Sequence, residues 1–191
     1  MYEGYFNSFK GKVPLTNEEE ELIKSHLAVK KIRKRQYLLQ AGDVDKVIAF
    51  VEKGSLRCYS VDNEGNEHIV QFAIEGWFIS DLYSFLTGEP ATYNIDALED
   101  SELVVISRSA NDELMAKSPK YQLYMFQQVT GAYIALQRRV TSSNSLSPEE
   151  RYKNFLTSYS DVVQRVPQHM IASYLGVKPE TLSRIRRRMV L

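Results

Sequence analysis

The sequence predicts an α+β chain with an antiparallel β-domain first, a long helix after it and a small all-helical module at the C-terminal end. Three observations predict this order. Short segments rich in β-branched and aromatic residues alternate with glycines between residues 29 and 107. One apolar repeat runs along residues 121–141, and a pair of helical segments split by a glycine follows in residues 167–188.

The composition excludes several classes of protein. No apolar run in the 191 residues approaches the roughly 18 that suggest a membrane span, and the first residues lack the apolar core of a secretion signal. We therefore expect a cytoplasmic protein with no membrane partner. Cys58 is the only cysteine, which excludes an internal disulfide and a cysteine-held metal or iron–sulfur centre. We expect no metal and no resident cofactor.

The net charge of zero hides an asymmetry. Residues 141–191 contain 8 Lys and Arg against 4 Asp and Glu, whereas the other residues contain 16 against 20. A basic C-terminal end on an otherwise acidic chain suits contact with a polyanion there.

The β-domain is predicted to begin with one helix and to continue as strands. Thr16 is the expected N-cap of that helix, and Glu19 completes a capping box ahead of an apolar stripe. The predicted strands begin at Val47, Ser55, Glu67, Tyr93 and Glu102. The segment Asn63-Glu64-Gly65-Asn66 is a predicted hairpin turn. Short strands with a turn every 8–12 residues indicate a sandwich or barrel.

Two helices are predicted after the strands. Residues 109–118 form a brief helix that Pro119 ends. From Tyr121 to about Thr141, apolar residues recur close to the 3.5 period of a coiled-coil seam. Either this helix pairs with a second copy of the chain or it lies on the β-domain. The apolar positions are Leu123, Phe126, Val129, Tyr133, Leu136 and Val140.

The C-terminal residues predict a helix-turn-helix. Ser147 is an N-cap and Pro148 the first residue of the leading helix, and Gly176 splits two further helical segments. The last segment has an apolar face of Leu182, Ile185 and Met189. Its polar face is formed by Glu180, Ser183, Arg184 and Arg187. Such a helix enters the major groove of DNA, commonly at two-fold sites, so we favour a homodimer.

The order of these parts resembles the superfamily of the cyclic-AMP receptor protein and the fumarate–nitrate reduction regulator (Crp/Fnr). Three stretches carry the resemblance. They are the glycine-punctuated strands, residues 76–106 with Leu86-TGEP and Ala97-LEDSEL, and the closing GVKPETLSRI. It covers nearly the whole chain. The resemblance implies a jelly-roll (double-stranded β-helix) sensor over residues 1–118, a dimerisation helix and hinge over residues 119–145, and a helix-turn-helix DNA-binding domain over residues 146–191. It also implies a double-stranded DNA operator as partner, with RNA polymerase recruited or blocked.

The DNA-reading residues are assigned by the same resemblance. Glu180, Ser183 and Arg184 match the family's E-x-x-S-R pattern, which implies a TGA-like half-site. The chemistry agrees, because arginine forks onto guanine and glutamate accepts from cytosine. The candidates for phosphate contacts are Thr181, Arg187 and Gln168. An alternative role for Thr181 is to cap its own helix.

Two features of the module depart from the family's pattern. Pro179 takes the place of a base-reading arginine, so operator preference should differ. The chain stops at Leu191, and few residues lie between Tyr159 and Pro167, which predicts a reduced or absent β-wing.

The effector site departs further. Asp81 takes the place of the ribose-binding glutamate, Ala91 that of the phosphate-binding arginine, and Thr92 that of the serine. A buried phosphate without its bidentate arginine loses its main contact. We therefore expect another small-molecule effector or none. The candidate effector-binding residues are Asp81, Thr92, Tyr93 and Phe85, and the alternative is that the last three are ordinary core residues.

Together these features predict a dimeric, sequence-specific transcription regulator and not an enzyme. A catalytic metal in a jelly-roll needs a cluster of histidines, and only His68 lies in the strand region. The alternative is a cyclic-nucleotide-binding module whose DNA-binding domain is degenerate.

Overall fold

The structure, a computed structural model, describes residues 2–190. Within that range eight strands form two antiparallel sheets. The strands are β1 Ala28–Ile32, β2 Tyr37–Leu39, β3 Val47–Lys53, β4 Leu56–Val61, β5 Glu67–Ala73, β6 Phe78–Ile79, β7 Asn94–Ala97 and β8 Ser101–Ser107. Their order is β1-β8-β3-β6 in the first sheet and β2-β7-β4-β5 in the second. This pairing of strands that are distant in sequence makes a jelly-roll, so the predicted α+β class is confirmed.

The predicted strands correspond to β3, β4, β5, β7 and β8, each beginning within one residue of the expected position. The predicted hairpin turn joins β4 to β5. There Gly65 has φ +85°, and the Asp62 carboxylate accepts the N–H groups of Glu64 and Asn66, both at 2.9 Å. The strands that sequence reasoning missed, β1, β2 and β6, contain two to five residues. They offer too few positions to display a period of two.

Nine helices lie in the described residues. They are α1 Glu3–Asn7, α2 Asn17–Lys24, α3 Leu82–Thr87, α4 Arg108–Lys117, α5 Pro119–Ser145, α6 Pro148–Ser158, α7 Ser160–Arg165, α8 Gln168–Leu175 and α9 Pro179–Val190. The N-caps predicted from sequence are confirmed. The Thr16 hydroxyl accepts the Glu19 N–H at 3.3 Å while the Glu19 carboxylate accepts the Thr16 N–H at 2.7 Å, and Ser147 forms the same kind of capping box at α6.

Two short helices differ from the sequence expectation. One helix was expected before the strands, but α1 precedes α2. The helix α1 is held by a residue that is distant in sequence. The Glu52 carboxylate on β3 accepts the N–H groups of Gly4 at 2.7 Å and Tyr5 at 3.0 Å. The other is α7, which fills the stretch before Pro167. No strand occurs in residues 108–190, and the reduced or absent wing stays a prediction.

The helix α5 leaves the β-domain soon after it begins. Ser118 caps it by accepting the Tyr121 N–H at 3.2 Å, and its buried residues are Tyr121, Tyr124 and Met125. Most of the rest of its 27 residues is exposed, but Arg139 donates to the Val70 carbonyl of β5 and lies 4.5 Å from the centre of the Tyr174 ring on α8. None of the helices in the described part of the chain is long and apolar enough to cross a membrane.

Three apolar clusters hold the fold together. The first packs the first sheet against helices and includes Tyr5, Phe9, Ile23, Phe50, Phe85, Leu114, Tyr121 and Tyr124. The second fills the interior of the roll and includes Ile32, Val51, Leu56, Cys58, Ile79, Ala91, Ile95 and Leu103. The third joins the second sheet to helices α6–α9 and includes Tyr59, Ile69, Phe72, Ile74, Phe155, Val162, Ile171, Leu182 and Ile185. The roll and the helical module therefore share a core.

The β3–β4 turn gives a test of the packing. Gly54 has φ +105°, and a methyl group added to it would lie 2.7 Å from the Cα of Ser101. We expect Gly54→Ala to lower the free energy of unfolding by about 2–5 kcal/mol, because backbone strain and a steric clash add together. Gly65→Ala is the matched control, since Gly65 also has positive φ but open space around it. It should cost about 1–2 kcal/mol from strain alone. Equal losses in urea unfolding would contradict the assigned clash.

Candidate nucleic-acid interface and effector region

The helices α8 and α9 form the predicted helix-turn-helix, and a glycine makes the turn. Gly176 has φ +66°, a conformation that side chains with a Cβ adopt at a cost. Its N–H donates to the Ser173 carbonyl at 3.0 Å, and the Val177 N–H donates to the Ala172 carbonyl at 3.0 Å. Because the connection is this short, the packing of α8 sets the direction of α9.

The helix α9 has one buried and one exposed face. Leu182 and Ile185 are 1% and 7% exposed and pack into the third cluster. Met189, expected to continue that face, is 36% exposed, since it lies in the last turn of α9, beyond the third cluster. All four residues of the predicted polar face are exposed: Glu180, Ser183, Arg184 and Arg187.

Two predicted phosphate-contact residues are less accessible. Thr181 is half-buried and lies inside the first turn of α9, so it does not occupy the capping position of its helix. Its hydroxyl accepts a hydrogen bond from Arg184 Nη2 at 3.4 Å. Gln168 is the first residue of α8 and is half-buried. Its Oε1 is enclosed without a hydrogen-bond partner among the described residues.

The helical module lies on the outer face of the second sheet. The Ser173 hydroxyl on α8 accepts one backbone N–H from β5 at 3.0 Å and donates to a β5 carbonyl at 2.9 Å. Arg165 on α7 forms ion pairs with Glu75, at 2.6 Å, and with Glu99. The Ser173 bonds fix the position of α8 along β5, and the Arg165 ion pairs hold α7 to the turns after β5 and β7. The third cluster supplies the apolar area.

A buried arginine at this contact gave no recognisable signal in the sequence. Arg57 on β4 donates to the Asp96 carboxylate at 2.8 and 3.0 Å and also pairs with Glu67. Its guanidinium lies 4.1 Å from the centre of the Tyr59 ring, and its Nη1 lies 3.9 Å from Met170 Sδ on α8. Burial works against the charged form, but the hydrogen bonds to the two carboxylates raise the pKa of Arg57 above its usual value. The cation therefore persists at the contact.

In the candidate effector region, the carboxylate of Asp81 is already engaged. It caps α3 by accepting the Ser84 N–H at 3.1 Å, and it accepts the Thr92 N–H at 3.1 Å. Asp45 lies beside it, accepting the Ser80 hydroxyl at 2.9 Å and the Asp81 N–H at 2.8 Å. Both carboxylates are buried. These bonds tie the loop that carries Thr92 to the start of α3.

The four candidate effector residues do not surround one cavity. Asp81 and Thr92 are joined by their hydrogen bond, but Phe85 is buried in the first cluster. Tyr93 is half-buried and packs against the second cluster, together with Ala91. The structure thus divides these side chains between two cores.

A cyclic phosphate does not fit the residues of this region. Ala91, in the arginine's place, is buried among apolar side chains. The nearby charges of Asp81 and Asp45 add to the larger effect of burial and raise the pKa of the Cys58 thiol to about 12. A buried phosphate would therefore meet two carboxyl groups without a guanidinium to balance its charge.

The residues present do not fit a cysteine-held iron–sulfur cluster either. Cys58 is the single cysteine of the chain and is buried. Over residues 2–190, no group of three or more His, Cys, Asp or Glu side chains is placed to hold a metal ion.

Comparison with known proteins relates this fold to one domain family. Residues 29–118 match the family model of the cyclic nucleotide-binding domain. The chain is 27% identical over 189 residues to the fumarate and nitrate reduction regulatory protein of Vibrio cholerae, covering 91% of this chain and 74% of that protein. FixK2 from Bradyrhizobium japonicum matches with a TM-score of 0.75 at 16% identity, over 85% of this chain and 84% of that one. The c-di-GMP responsive global regulator CLP from Xanthomonas campestris matches with a TM-score of 0.73 at 16% identity, over 91% of both chains.

Residues 29–118 are thus similar to a cyclic nucleotide-binding domain, and the fold of the chain is similar to that of FixK2 and of CLP. Over 91% of its length the chain is similar in sequence to fumarate and nitrate reduction regulatory proteins. The relatives are regulatory proteins rather than enzymes.

The environment of Cys58 gives a test by thiol chemistry. With its pKa raised from 9.0 to about 12, its thiolate is about a thousand times rarer at neutral pH. We expect the native protein to react with a disulfide reagent at least a thousandfold more slowly than the guanidinium-unfolded protein, which should release one thiol equivalent per chain. Rapid labelling of the native protein would contradict the buried position of Cys58.

Proposed function

We propose that this chain is a dimeric, sequence-specific DNA-binding transcription regulator. The observation that carries the proposal is the division of α9, with Leu182 and Ile185 in the core and the polar face turned to solvent. A helix anchored along one side and polar along the other is suited to the major groove. The basic charge of residues 141–191 supports the same partner, because DNA phosphates dominate the affinity of such proteins.

Each residue of the module has a proposed role. Arg184 donates to guanine O6 and N7, Glu180 accepts from cytosine N4, and Ser183 bonds a base or a phosphate. Arg187 binds a phosphate and fixes the position of the helix without reading sequence. Thr181 and Gln168, which are half-buried, are also proposed to contact phosphates.

Dimerisation is proposed through α5. Its buried residues are confined to the start of the helix, Arg139 contacts β5 and α8 further along, and an apolar stripe remains in solvent. The exposed large apolar residues of α5 are Leu123, Phe126, Val129, Tyr133, Ile134, Leu136 and Val140. An exposed apolar stripe of this length indicates a binding surface, and its coiled-coil period fits the same helix of a second copy.

Each of the three predicted parts of the chain has its own proposed function. We propose that residues 1–118 are a sensor, residues 119–145 the dimer helix and hinge, and residues 146–191 the DNA-binding domain. The effector, where one acts, is not a cyclic nucleotide, because Asp45 and Asp81 oppose a phosphate beside Ala91. RNA polymerase is the proposed downstream partner.

Arg184→Ala tests the reading face. The wild-type protein would first select an operator from a pool of randomised duplexes, and the variant would then be titrated against that operator. We expect the free energy of operator binding to weaken by about 1–3 kcal/mol, because one bidentate base contact is lost. Fluorescence anisotropy measures the affinity.

Arg186→Ala is the matched control, since Arg186 is an exposed arginine on another side of α9. It should alter affinity only slightly and equally for all sequences. An unchanged footprint for Arg184→Ala would refute the assignment of the reading face. Failure of the wild-type protein to select any duplex would instead favour a module whose DNA-binding domain is degenerate.

Phe126→Glu tests the dimer. Phe126 is 66% exposed in the single chain, so a charge there should leave the fold intact but oppose burial against a second helix. We expect sedimentation at micromolar concentration to show a dimer for the wild-type protein and a monomer for the variant. Ala135→Glu introduces the same charge half a turn away from the stripe and should remain dimeric. A wild-type monomer would overturn this part of the proposal.

A further inference from the structure

One side chain in the projecting part of α5 contacts the rest of the chain. Between residues 131 and 141 every residue is exposed except Arg139, which is half-buried. Arg139 follows Tyr121 by about five helical turns, so both lie on the same face of α5. The apolar stripe occupies another face, and its member Val140 stays exposed beside Arg139. The two faces of α5 therefore have different neighbours.

Arg139 contacts two different elements at once. Its Nη1 donates to the Val70 carbonyl on β5, and its guanidinium carbon lies 4.5 Å from the centre of the Tyr174 ring on α8. A planar guanidinium suits both contacts, because it donates hydrogen bonds in its plane and is attracted to the face of an aromatic ring. The elements α5, β5 and α8 thus meet at one side chain.

The carbonyl that Arg139 binds belongs to a β-bulge. Between Cys58 and Tyr59 the β4–β5 register shifts past Val70, which pairs with neither residue. The extra residue of a bulge is left unpaired in the ladder. The Ser173 hydroxyl binds backbone groups of β5 just before this point. Arg139 is therefore fixed at a defined position along β5, next to the attachment of α8.

Tyr174 is held on several sides and lies close to the turn of the helix-turn-helix. Its ring centre is 5.5 Å from that of Phe72 on β5 and 5.4 Å from that of Phe155 on α6. The turn at Gly176 follows two residues later. A contact that fixes Tyr174 therefore also fixes the point at which the chain enters α9.

Satisfying the bulge carbonyl accounts for only part of this contact. A hydroxyl or an amide donor would satisfy one carbonyl equally well, whereas the guanidinium also stacks on a ring of the helical module. The other polar contacts between that module and the β-domain, through Ser173, Arg165 and Arg57, do not involve α5. Arg139 is placed to hold the module to α5 itself.

The covalent link between α5 and the module leaves their relative direction open. Leu146 and Ser147 separate the end of α5 from the start of α6. Residues 141–145, which precede them, are Thr, Ser, Ser, Asn and Ser, all of lower helix propensity than alanine or leucine. This stretch offers no large apolar side chain that could pack against the module. A contact that spans the link is therefore needed to fix the angle.

We propose that Arg139 is a positioning residue that sets the separation of the two reading helices in the dimer. The inference rests on the proposed function, because it takes α5 as the dimer helix and α9 as the reading helix. The stripe on α5 fixes the two-fold axis, Arg139 fixes α8 relative to α5, and the turn at Gly176 fixes α9 relative to α8. Arg139 thus decides which spacing of half-sites the dimer accepts, although it touches no base.

The first test varies the spacing between the half-sites of the operator that the wild-type protein selects. Each added or removed base pair moves one half-site by about 3.4 Å and turns it by about 35°. We expect the wild-type protein to prefer the selected spacing by about tenfold or more over a change of one base pair, because the second half-site adds avidity only when both helices reach their sites. Arg139→Met keeps a long side chain without the guanidinium, and it should reduce the preference to about threefold or less.

Two further variants separate the guanidinium from charge alone. Arg139→Lys keeps a charged donor but loses the planar stacking, so its spacing preference should be intermediate. Arg138→Met is the matched control, since Arg138 is the adjacent residue and is exposed. It should keep the wild-type preference. All four proteins should bind a duplex with a single half-site equally well, because the reading face is unchanged.

A second measurement reports the separation without DNA. Lys178 is exposed just before α9, so Lys178→Cys accepts a spin label at a thiol that is accessible, unlike the buried Cys58. Pulsed electron–electron double resonance then gives the distance between the labels of the two copies. We expect a narrow distribution in the otherwise wild-type protein and with Arg138→Met, and a broad one with Arg139→Met.

The possible outcomes distinguish this inference from the proposed function. If Arg139→Met keeps the spacing preference and the narrow distribution, Arg139 is not a positioning residue. If both Arg139 variants lose thermal stability together with binding to the single half-site, Arg139 serves only the fold and the inference is overturned. If the wild-type protein binds a half-site specifically but accepts every spacing, the inference fails while the helix-turn-helix assignment stands. If the wild-type protein selects no duplex, the proposed function itself fails.

Discussion

The outer face of the second sheet carries large apolar side chains around the Arg57 ion pairs, and the need to cover them constrains the rest of the molecule. Tyr59, Ile69, Phe72 and Ile74 project away from the roll interior and would form an exposed patch without the helices. Covering them unites the roll and the helical module in one core. The helix α8 lies on β5, and the short hydrogen-bonded turn at Gly176 fixes the direction of α9 relative to α8. The polar face of α9 therefore points to solvent. The direction of the candidate reading helix thus follows from the position of the apolar residues on the second sheet that the helices bury.

Strand β4 separates two very different environments. Cys58 faces the filled interior of the roll, whereas its neighbours Arg57 and Tyr59 face the module. The buried cation is therefore outside the roll, while Asp45 and Asp81 supply the buried carboxyl groups beside the interior. A bound cyclic phosphate would need a cation in the interior of the roll and no carboxyl groups beside it. The structural link between the β-domain and the helical module is accordingly their direct contact, through the Arg57 network and the third cluster.

The parts of the fold that sequence reasoning predicted carry local signals. The caps at Thr16 and Ser147 bond a residue three positions away, and Gly65 and Gly176 make turns within a few residues. The missed elements depend on distant partners or are very short. For example, α1 is held by Glu52, almost fifty residues away in sequence, and β6 has only two residues. No local pattern reports such contacts.

For the candidate site, the sequence by itself determined which side chains share a face of α9, because the helical period sets their relative directions. Only the tertiary structure decided that Leu182 and Ile185 are covered while Met189 is exposed, and that the Gln168 side chain is partly enclosed. It also decided that Asp81 binds backbone N–H groups and that Phe85 belongs to another core. The physical reason is that burial depends on surfaces brought together from distant parts of the chain, whereas periodicity is a property of neighbouring residues.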